Sequence, residues 1–268
     1  MEKQELLRKY PNEEDKLSIS KILDKIKAVE NRNYLVYTDF LNLREQKITE
    51  EILNIQKFKN YIFFGREQNL ERKIIILYPE KLTKELAIQQ AKINLNVIRI
   101  ILPKSNEKEF THRDYLGIIM KLGIKREKVG DIIVGKKVAD IIVEKEITKF
   151  LLEELPKFTR FQKSTIQVLE IDELSKIEQN FEEITVIVPS YRLDSIVTEI
   201  ARTSRSKAVE LIEAERVYIN FEICTKNSKT IKIGDIITIR GKGRFKIAEE
   251  LGNTKKDNIR IKILTFKT

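Results

Sequence analysis

The chain has 268 residues, of which 41% are hydrophobic, enough to build roughly two or three domains with cores of their own. Its formal net charge of +10, from 51 Lys and Arg against 41 Asp and Glu, favours a polyanionic partner such as RNA, DNA or an anionic membrane, although Lys- and Ile-rich residue usage alone gives a similar balance. One Cys and one His exclude an internal disulfide and a zinc site built on Cys and His.

Signals for export and membrane insertion are missing from the sequence. No apolar run follows Met1, as it would in a signal peptide. No stretch approaches the roughly 20 apolar residues of a membrane-spanning helix. We therefore expect a cytoplasmic protein without a membrane partner, and we expect no metal and no cofactor.

Residues 1–72 are predicted to form a mainly helical domain. Apolar residues recur at helical spacing between residues 17 and 29, and Asn12 is a good N-cap for the acidic turn that precedes them. A further helix is predicted over 41–55 and a short strand over 61–64. The aromatic residues of this region are predicted to be core rather than a surface for base stacking.

Residues 73–178 are predicted to form a central domain. After a strand at 74–77 and a polar segment, the order is strand, helix, strand, strand, helix, strand, as in ferredoxin-like RNA-recognition motifs. These six elements are predicted at 93–102, 111–122, 131–134, 138–143, 145–155 and 165–171. The strand at 138–143 has no aromatic residue for base stacking, so any RNA contact is expected to use charge and helix ends.

The stretch 112–137 is strongly basic. Arg113 lies in the first turn of a predicted helix, where a cation is unfavourable unless it meets an anion. Lys125, Arg126 and Lys128 lie in a loop bounded by glycines, which can approach a phosphate closely. We predict that these four cations contact RNA.

A catalytic role for this stretch is a weaker interpretation. His112 and Asp114 could suggest acid–base chemistry, but no Ser or Cys nucleophile motif lies nearby. The letters His-Arg-Asp also occur in kinase catalytic loops, but the expected downstream Asn and a Gly-rich nucleotide loop are missing. We therefore predict no catalytic residue.

Residues 181–268 are predicted to form a C-terminal domain with two helices on a small sheet. One helix has its apolar stripe between 193 and 200, and Ser204 is a good N-cap for the next, predicted over 205–215. Strands follow, with turns at Asn220 and at two glycines. The basic residues cluster at the helix joint and along a Gly-containing strand, which suits a phosphate backbone. The predicted RNA contacts of this domain are Arg192, Arg202, Ser204, Arg205, Lys207, Arg240, Lys242 and Arg244.

This C-terminal stretch resembles the S4 RNA-binding domain, a module named after a small-subunit ribosomal protein. The resemblance rests on an ordered series of motifs: Arg192-Leu193-Asp194, Ser204-Arg205-Ser206-Lys207-Ala208, Leu211-Ile212, Val217, Ile219-Asn220, Ile233-Gly234-Asp235, Ile237 and Arg240-Gly241-Lys242-Gly243-Arg244-Phe245. Phe221 stands where the family commonly has Gly. The resemblance implies that the paired helices and the basic loop grip structured RNA.

Motifs outside this domain closely resemble the bacterial YlmH family. They are His112-Arg113-Asp114-Tyr115-Leu116-Gly117, Gly123-Ile124-Lys125-Arg126-Glu127-Lys128, Gly130-Asp131-Ile132-Ile133-Val134 and the stretch 64–72. In the last, Arg66 and Leu70 replace a Gly and an Ala that are usual in the family. The resemblance implies an N-terminal helical domain, a central domain like an RNA-recognition motif and a C-terminal S4 domain. It also implies association with the large ribosomal subunit in the rescue of stalled subunits obstructed by peptidyl-tRNA, with older links to cell division.

The leading hypothesis is a non-enzymatic, monomeric protein that binds rRNA and tRNA of the large ribosomal subunit. An alternative is an RNA-modifying enzyme of the pseudouridine synthase type, because Arg192-Leu193-Asp194 has the letters of the catalytic motif. Synthetase and methyltransferase signatures are not seen. A cell-division adaptor at a membrane surface would need an exposed amphipathic basic helix, whereas the tail 258–268 alternates like a strand.

Overall fold

The computed structural model describes residues 3–65, 70–103, 110–174, 181–220 and 222–266. The chain divides into two compact units, Met1–Ile177 and Glu178–Thr268. Each unit combines helices with antiparallel sheet, which confirms the predicted α+β class. The boundaries of the three predicted domains stay a prediction. Arg66 and Phe221, two departures from the family motifs, lie outside the described residues.

The first unit begins with helices packed on a three-stranded sheet of order β1-β3-β2. Its elements are α1 (Lys3–Arg8), α2 (Glu13–Arg32), β1 (Val36–Tyr37), α3 (Leu43–Ile55), β2 (Tyr61–Phe64), β3 (Ile74–Leu77) and α4 (Lys84–Lys92). The predicted N-cap is confirmed, because the side chain of Asn12 accepts a hydrogen bond from the backbone N–H of Glu14 at 2.9 Å. Successive side chains of a strand point to opposite faces, so Ile75 packs against the core of α2 and α3 while Ile76 packs on the other side.

Helix α4 lies in the polar segment for which no element was predicted. Thr83 caps it, and its buried residues are Ala87 and Ala91. Two alanines give almost no apolar periodicity, so the pattern did not reveal this helix.

The rest of the first unit is a four-stranded antiparallel sheet with two helices on one face. Its elements are β4 (Leu95–Ile101), α5 (His112–Lys121), β5 (Val129–Val134), β6 (Val138–Glu144), α6 (Lys145–Glu154) and β7 (Thr165–Leu169). The strand order β5-β6-β4-β7 agrees with the predicted ferredoxin-like arrangement. Ile98 and Ile141 face a core shared with Tyr115 and Leu151 of the helices.

The opposite face of this sheet is covered by the N-terminal part of the same unit. Val97 and Ile142, on the two central strands, are fully buried in a cluster with Phe40 and Ile76. Gly130 permits this contact, since a Cβ at that position would lie 2.7 Å from Cε1 of Phe40. An RNA-recognition motif uses this face to stack bases, and here much of it is internal.

The second unit is a six-stranded sheet of order β10-β9-β11-β12-β13-β8 with two helices on one face. Its elements are β8 (Phe181–Val188), α7 (Leu193–Ile200), α8 (Arg205–Glu213), β9 (Val217–Ile219), β10 (Glu222–Ile223), β11 (Ile236–Ile239), β12 (Gly243–Asn253) and β13 (Ile259–Phe266). Strand β8 was not predicted. It pairs with β13 along its length and buries Val186 and Val188 in the core. Among the described residues, no helix is both long and apolar enough to cross a membrane.

Candidate nucleic-acid interface

Three charged side chains meet where the two helices begin: Arg192 and Asp194 at the start of α7 and Arg205 at the start of α8, which we call the Asp194 cluster. The Asp194 carboxylate accepts hydrogen bonds from Nε and Nη2 of Arg192 at 3.0 and 2.9 Å and from Nη2 of Arg205 at 3.0 Å. Only 3% of the Asp194 side chain is exposed, whereas Arg192 and Arg205 are 42% and 63% exposed. One buried carboxylate therefore orients two cations that face solvent.

The charges of the Asp194 cluster do not cancel, because two guanidinium groups share one carboxylate. Hydrogen bonds from Arg192, helped by those from Arg205 and the backbone N–H of Ser195, lower the pKa of Asp194 to about 2. The same pairing raises the pKa of Arg192. A guanidinium has more N–H donors than these contacts use, so both arginines retain donors for a phosphate.

The turn between α7 and α8 places the other predicted contacts of the helix joint. Ser204 caps α8, and its Oγ accepts a hydrogen bond from the backbone N–H of Lys207 at 3.3 Å. Arg202 adopts a left-handed conformation with φ of 49° and its side chain is exposed. Lys207 is exposed and pairs with Glu210 in the next turn. The first turn of α8, with its positive end of the helix dipole, therefore lies beside the Asp194 cluster.

A loop far along the chain completes this surface, and sequence reasoning missed it. The backbone N–H groups of Leu193 and Asp194, which open α7, donate to the carbonyls of Lys229 and Asn227 at 2.9 and 3.1 Å. The loop thus satisfies the free donors of the helix and carries the exposed Lys226 and Lys229 to its start. Such long-range hydrogen bonds reveal the placement, since nothing in the local sequence pattern links the loop to α7.

The second predicted basic group lies on the hairpin of β11 and β12. Arg240 is exposed and its guanidinium lies 5.3 Å from the centre of the Tyr218 ring, a cation–π contact. Lys242 is exposed at the turn. Arg244 is half-buried and lies opposite Thr238 in register, on the sheet face away from the core residue Phe245.

The two basic groups of this unit lie near opposite ends of α8. Arg205 begins the helix, whereas Arg216, just after its end, accepts on its carbonyl the backbone N–H of Arg240 at 2.9 Å. Nine helical residues separate them by roughly 13 Å. The predicted contacts therefore form two patches, one at the helix joint and one on the hairpin, and Arg216 joins the second.

In the first unit, the four predicted contacts divide into two kinds. Arg113 and Lys125 are exposed. Arg126 turns inward and donates from Nη1 to the carbonyls of Val129 and Gly130, and burial together with a nearby arginine lowers its pKa to about 10. The RNA contact predicted for Arg113 and Lys125 stays a prediction, whereas Arg126 is engaged inside the protein.

Lys128 is also engaged inside the protein. Its Nζ lies 2.9 Å from Asp39 and 2.8 Å from each of Glu144 and Glu146, an arrangement that we call the Lys128 cluster. These hydrogen bonds outweigh partial burial and raise the pKa of Lys128. The glycine-bounded loop was interpreted as a phosphate contact, but this ammonium already has three anionic partners.

The neighbouring motif residues join the N-terminal part of the unit to the central sheet. Asp131 accepts hydrogen bonds from the backbone N–H groups of Glu71 and Arg72 at 2.6 and 2.9 Å. Arg72 donates in turn to the carbonyls of Val129 and Phe40. Much of the motif that resembles the YlmH family thus has a structural role.

Comparisons with known proteins agree with the two units. Residues 89–175 match the family model described as a putative RNA-binding domain in YlmH, and residues 192–237 match the S4 domain. Ribosome-associated protein quality control protein P2 of Bacillus subtilis is 29% identical over 253 residues, which cover 92% of this chain and 94% of that protein. The chain therefore resembles the YlmH family over most of its length. These findings support an RNA-binding role.

A solved structure, cell division protein ylmH from Streptococcus pneumoniae, is also similar to this chain. It is 20% identical and covers 62% of this chain and 98% of its own, with a TM-score of 0.48. At that score the likeness adds nothing to the fold described above. The S4 match includes the Asp194 cluster, and the other match includes Arg113 and Lys125.

The two carboxylates with a possible catalytic role, Asp194 and Asp114, accept hydrogen bonds from arginine side chains. Asp194, in the Arg-Leu-Asp sequence shared with pseudouridine synthases, is buried between two arginines. Asp114 accepts hydrogen bonds from Thr111 and, at 2.7 Å, from Arg160, rather than from His112. Within the described part of the chain, no group of three or more His, Cys, Asp or Glu residues is arranged to hold a metal ion.

Proposed function

We propose that this chain is a non-enzymatic, monomeric cytoplasmic protein that binds rRNA and tRNA on the large ribosomal subunit. Its role would be the rescue of stalled subunits obstructed by peptidyl-tRNA. The Asp194 cluster is the observation that carries the proposal, since it presents two oriented guanidinium groups next to the start of α8. The name of the Bacillus subtilis relative, which refers to ribosome-associated quality control, supports the ribosomal context.

The geometry of the Asp194 cluster suits a phosphate backbone as its ligand better than it suits a single acidic side chain of a protein partner. A guanidinium binds a phosphate through paired N–H donors, and a buried carboxylate that fixes its plane lowers the entropy lost on binding. Lys226, Lys229 and Lys207 add charge around the same helix starts. Structured RNA is recognised largely through such backbone and shape contacts.

The hairpin patch provides a second set of contacts on the same unit. Arg240, Lys242 and Arg216 lie about one helix length from Arg205, so an RNA that follows both patches must present phosphates at more than one place. When RNA is bound at one patch, its effective concentration at the other patch rises, and the overall affinity increases. The fit therefore favours a folded RNA over a free nucleotide.

The test is the double variant Arg205→Glu with Lys207→Glu. We expect it to lose about tenfold or more in affinity for purified large subunits in a sedimentation assay, because phosphate contacts become repulsive. The matched control is Lys81→Glu with Lys84→Glu, which makes the same charge change at two exposed lysines beside the start of α4 in the other unit. Equal sedimentation of both variants, with unchanged thermal melts, would contradict the proposal.

A further inference from the structure

A groove of about 370 Å³ in the first unit has no assigned role. It is lined by α5 and by the segment 158–160 that follows α6. Ile118 and the half-buried Phe158 give it apolar surface, and Arg113 and Lys121 bring positive charge to its lining. The volume lies within the range of about 300–1,000 Å³ that small-molecule pockets occupy.

The shape of the groove follows from one glycine on α5. Arg113, Gly117 and Lys121 recur every four residues and so share one face of the helix. The two cations are about 12 Å apart along the helix axis. The residue between them on this face is Gly117, which has no side chain. A Cβ at Gly117 would have no neighbouring atom within 4 Å outside its own helix backbone.

The carboxylate in the groove does not cancel these cations. Asp114 is already matched by Arg160, whose Nη1 lies 2.7 Å from its Oδ1, and by hydrogen bonds from Thr111. These contacts, led by Thr111, lower the pKa of Asp114 to about 2. Arg113 and Lys121 have no ion-pair partner among the residues that the structure describes, so the groove keeps an excess of positive charge.

We propose that this groove binds one unpaired nucleotide of an RNA strand. The base packs against Phe158 and the bare helix surface at Gly117, while the flanking phosphates contact Arg113 and Lys121. Aromatic and apolar surface accepts any base through its π-face, and unpaired bases occur in the loops and bulges of structured RNA. This inference rests on the proposed RNA-binding function and assigns a second contact, in the other unit.

The buried sheet face makes an alternative site necessary if this domain contacts bases. The surface that RNA-recognition motifs use for stacking is occupied here by Phe40 and its neighbours. The groove lies by α5, which packs on the opposite side of the sheet. An acidic peptide would be attracted by the same cations but would gain less from the apolar surface beside Gly117.

The groove is tested by fluorescence polarisation of labelled hexauridylate with the full-length chain and the variant Gly117→Leu. The new side chain fills the groove without a clash at its Cβ, and we expect about a tenfold loss of affinity, the effect of one lost stacking contact. Lys149→Glu, an exposed change on α6, is the control and should have a much smaller effect. The variant Arg113→Ala with Lys121→Ala should make the slope of log affinity against log salt less steep by about 1.4, since each phosphate contact on a single strand contributes about 0.7.

A second readout separates this inference from the proposed function. Gly117→Leu should leave the melt close to that of the native chain and should weaken large-subunit sedimentation less than Arg205→Glu with Lys207→Glu does. The latter variant should leave hexauridylate binding largely intact. Equal hexauridylate affinity for the native chain and Gly117→Leu would overturn the groove assignment, as would binding of an acidic peptide but not of RNA. If the native chain bound neither hexauridylate nor large subunits, the proposed function would be overturned instead.

Discussion

The Asp194 cluster and the Lys128 cluster use the same chemistry in opposite proportions. In the first, two arginines share one carboxylate that is 3% exposed. In the second, three carboxylates surround one ammonium that is 25% exposed. The single carboxylate of Asp194 is buried between two arginines, whereas the single ammonium of Lys128 lies among three carboxylates. The comparison shows that the arginines of the first cluster keep donors for a further anion, whereas the ammonium of the second is already matched by three carboxylates.

The largest effect is expected from Lys128→Met, which leaves Asp39, Glu144 and Glu146 without their shared cation. Removal of one partner from a buried ion pair costs about 3–5 kcal/mol, and partial exposure of this cluster reduces the expected loss to about 3 kcal/mol in the free energy of unfolding. Urea denaturation measures the loss. Lys125→Met, a change at an exposed lysine in the same loop, should shift the transition very little. Equal stability of the two variants would show that Lys128 is a surface cation after all.

The sequence predicted local structure well where one segment supplies its own signal. Asn12 and Ser204 were recognised as caps because the groups they bind lie within a few residues. The order of elements in the central sheet followed from apolar periodicity. Helix α4 was missed since it buries only two alanines, and β8 was missed although it pairs along its whole length with β13.

The candidate site was less predictable because its organisation depends on distant residues. Lys128 meets Asp39, which is 89 positions away, and no local pattern links the two. Lys229 reaches the start of α7 only through backbone hydrogen bonds. Arg192 and Arg205 were both predicted to contact RNA, whereas the buried carboxylate that brings them together emerges only from the geometry.

The two clusters should also respond to pH with opposite signs. Burial raises the pKa of Glu144 to about 7, and its Oε1 has no hydrogen-bond partner among the described residues. Because the folded-state pKa lies above the ordinary value of 4.5, the folded state holds the proton more tightly. This group therefore lowers the free energy of unfolding as pH rises from about 4.5 to about 7.

The sign at Asp194 is the reverse. Its folded-state pKa of about 2 lies below the ordinary 3.8, so its contribution to the free energy of unfolding is present above pH 3.8 and is lost as pH falls towards 2.

Glu144→Gln should flatten the stability profile between pH 5 and 7, by on the order of 2 kcal/mol, when denaturant unfolding is measured across that range. Glu146→Gln is the control, since Glu146 is 60% exposed. An unchanged slope in Glu144→Gln would mean that Glu144 is ionised throughout.

The smallest effect, and the sharpest test of the comparison, is expected from Asp194→Asn. The substitution raises the net charge by one, so a role for charge alone predicts tighter RNA binding. If the carboxylate orients Arg192 and Arg205, binding to large subunits should instead weaken about fivefold, near 1 kcal/mol, because both guanidinium groups lose their fixed plane. Glu210→Gln makes the same charge change at an exposed partner of Lys207 and should not weaken binding. Tighter binding by both variants would show that the Asp194 cluster acts on RNA only through its net charge, and that the carboxylate does not orient the two arginines for binding.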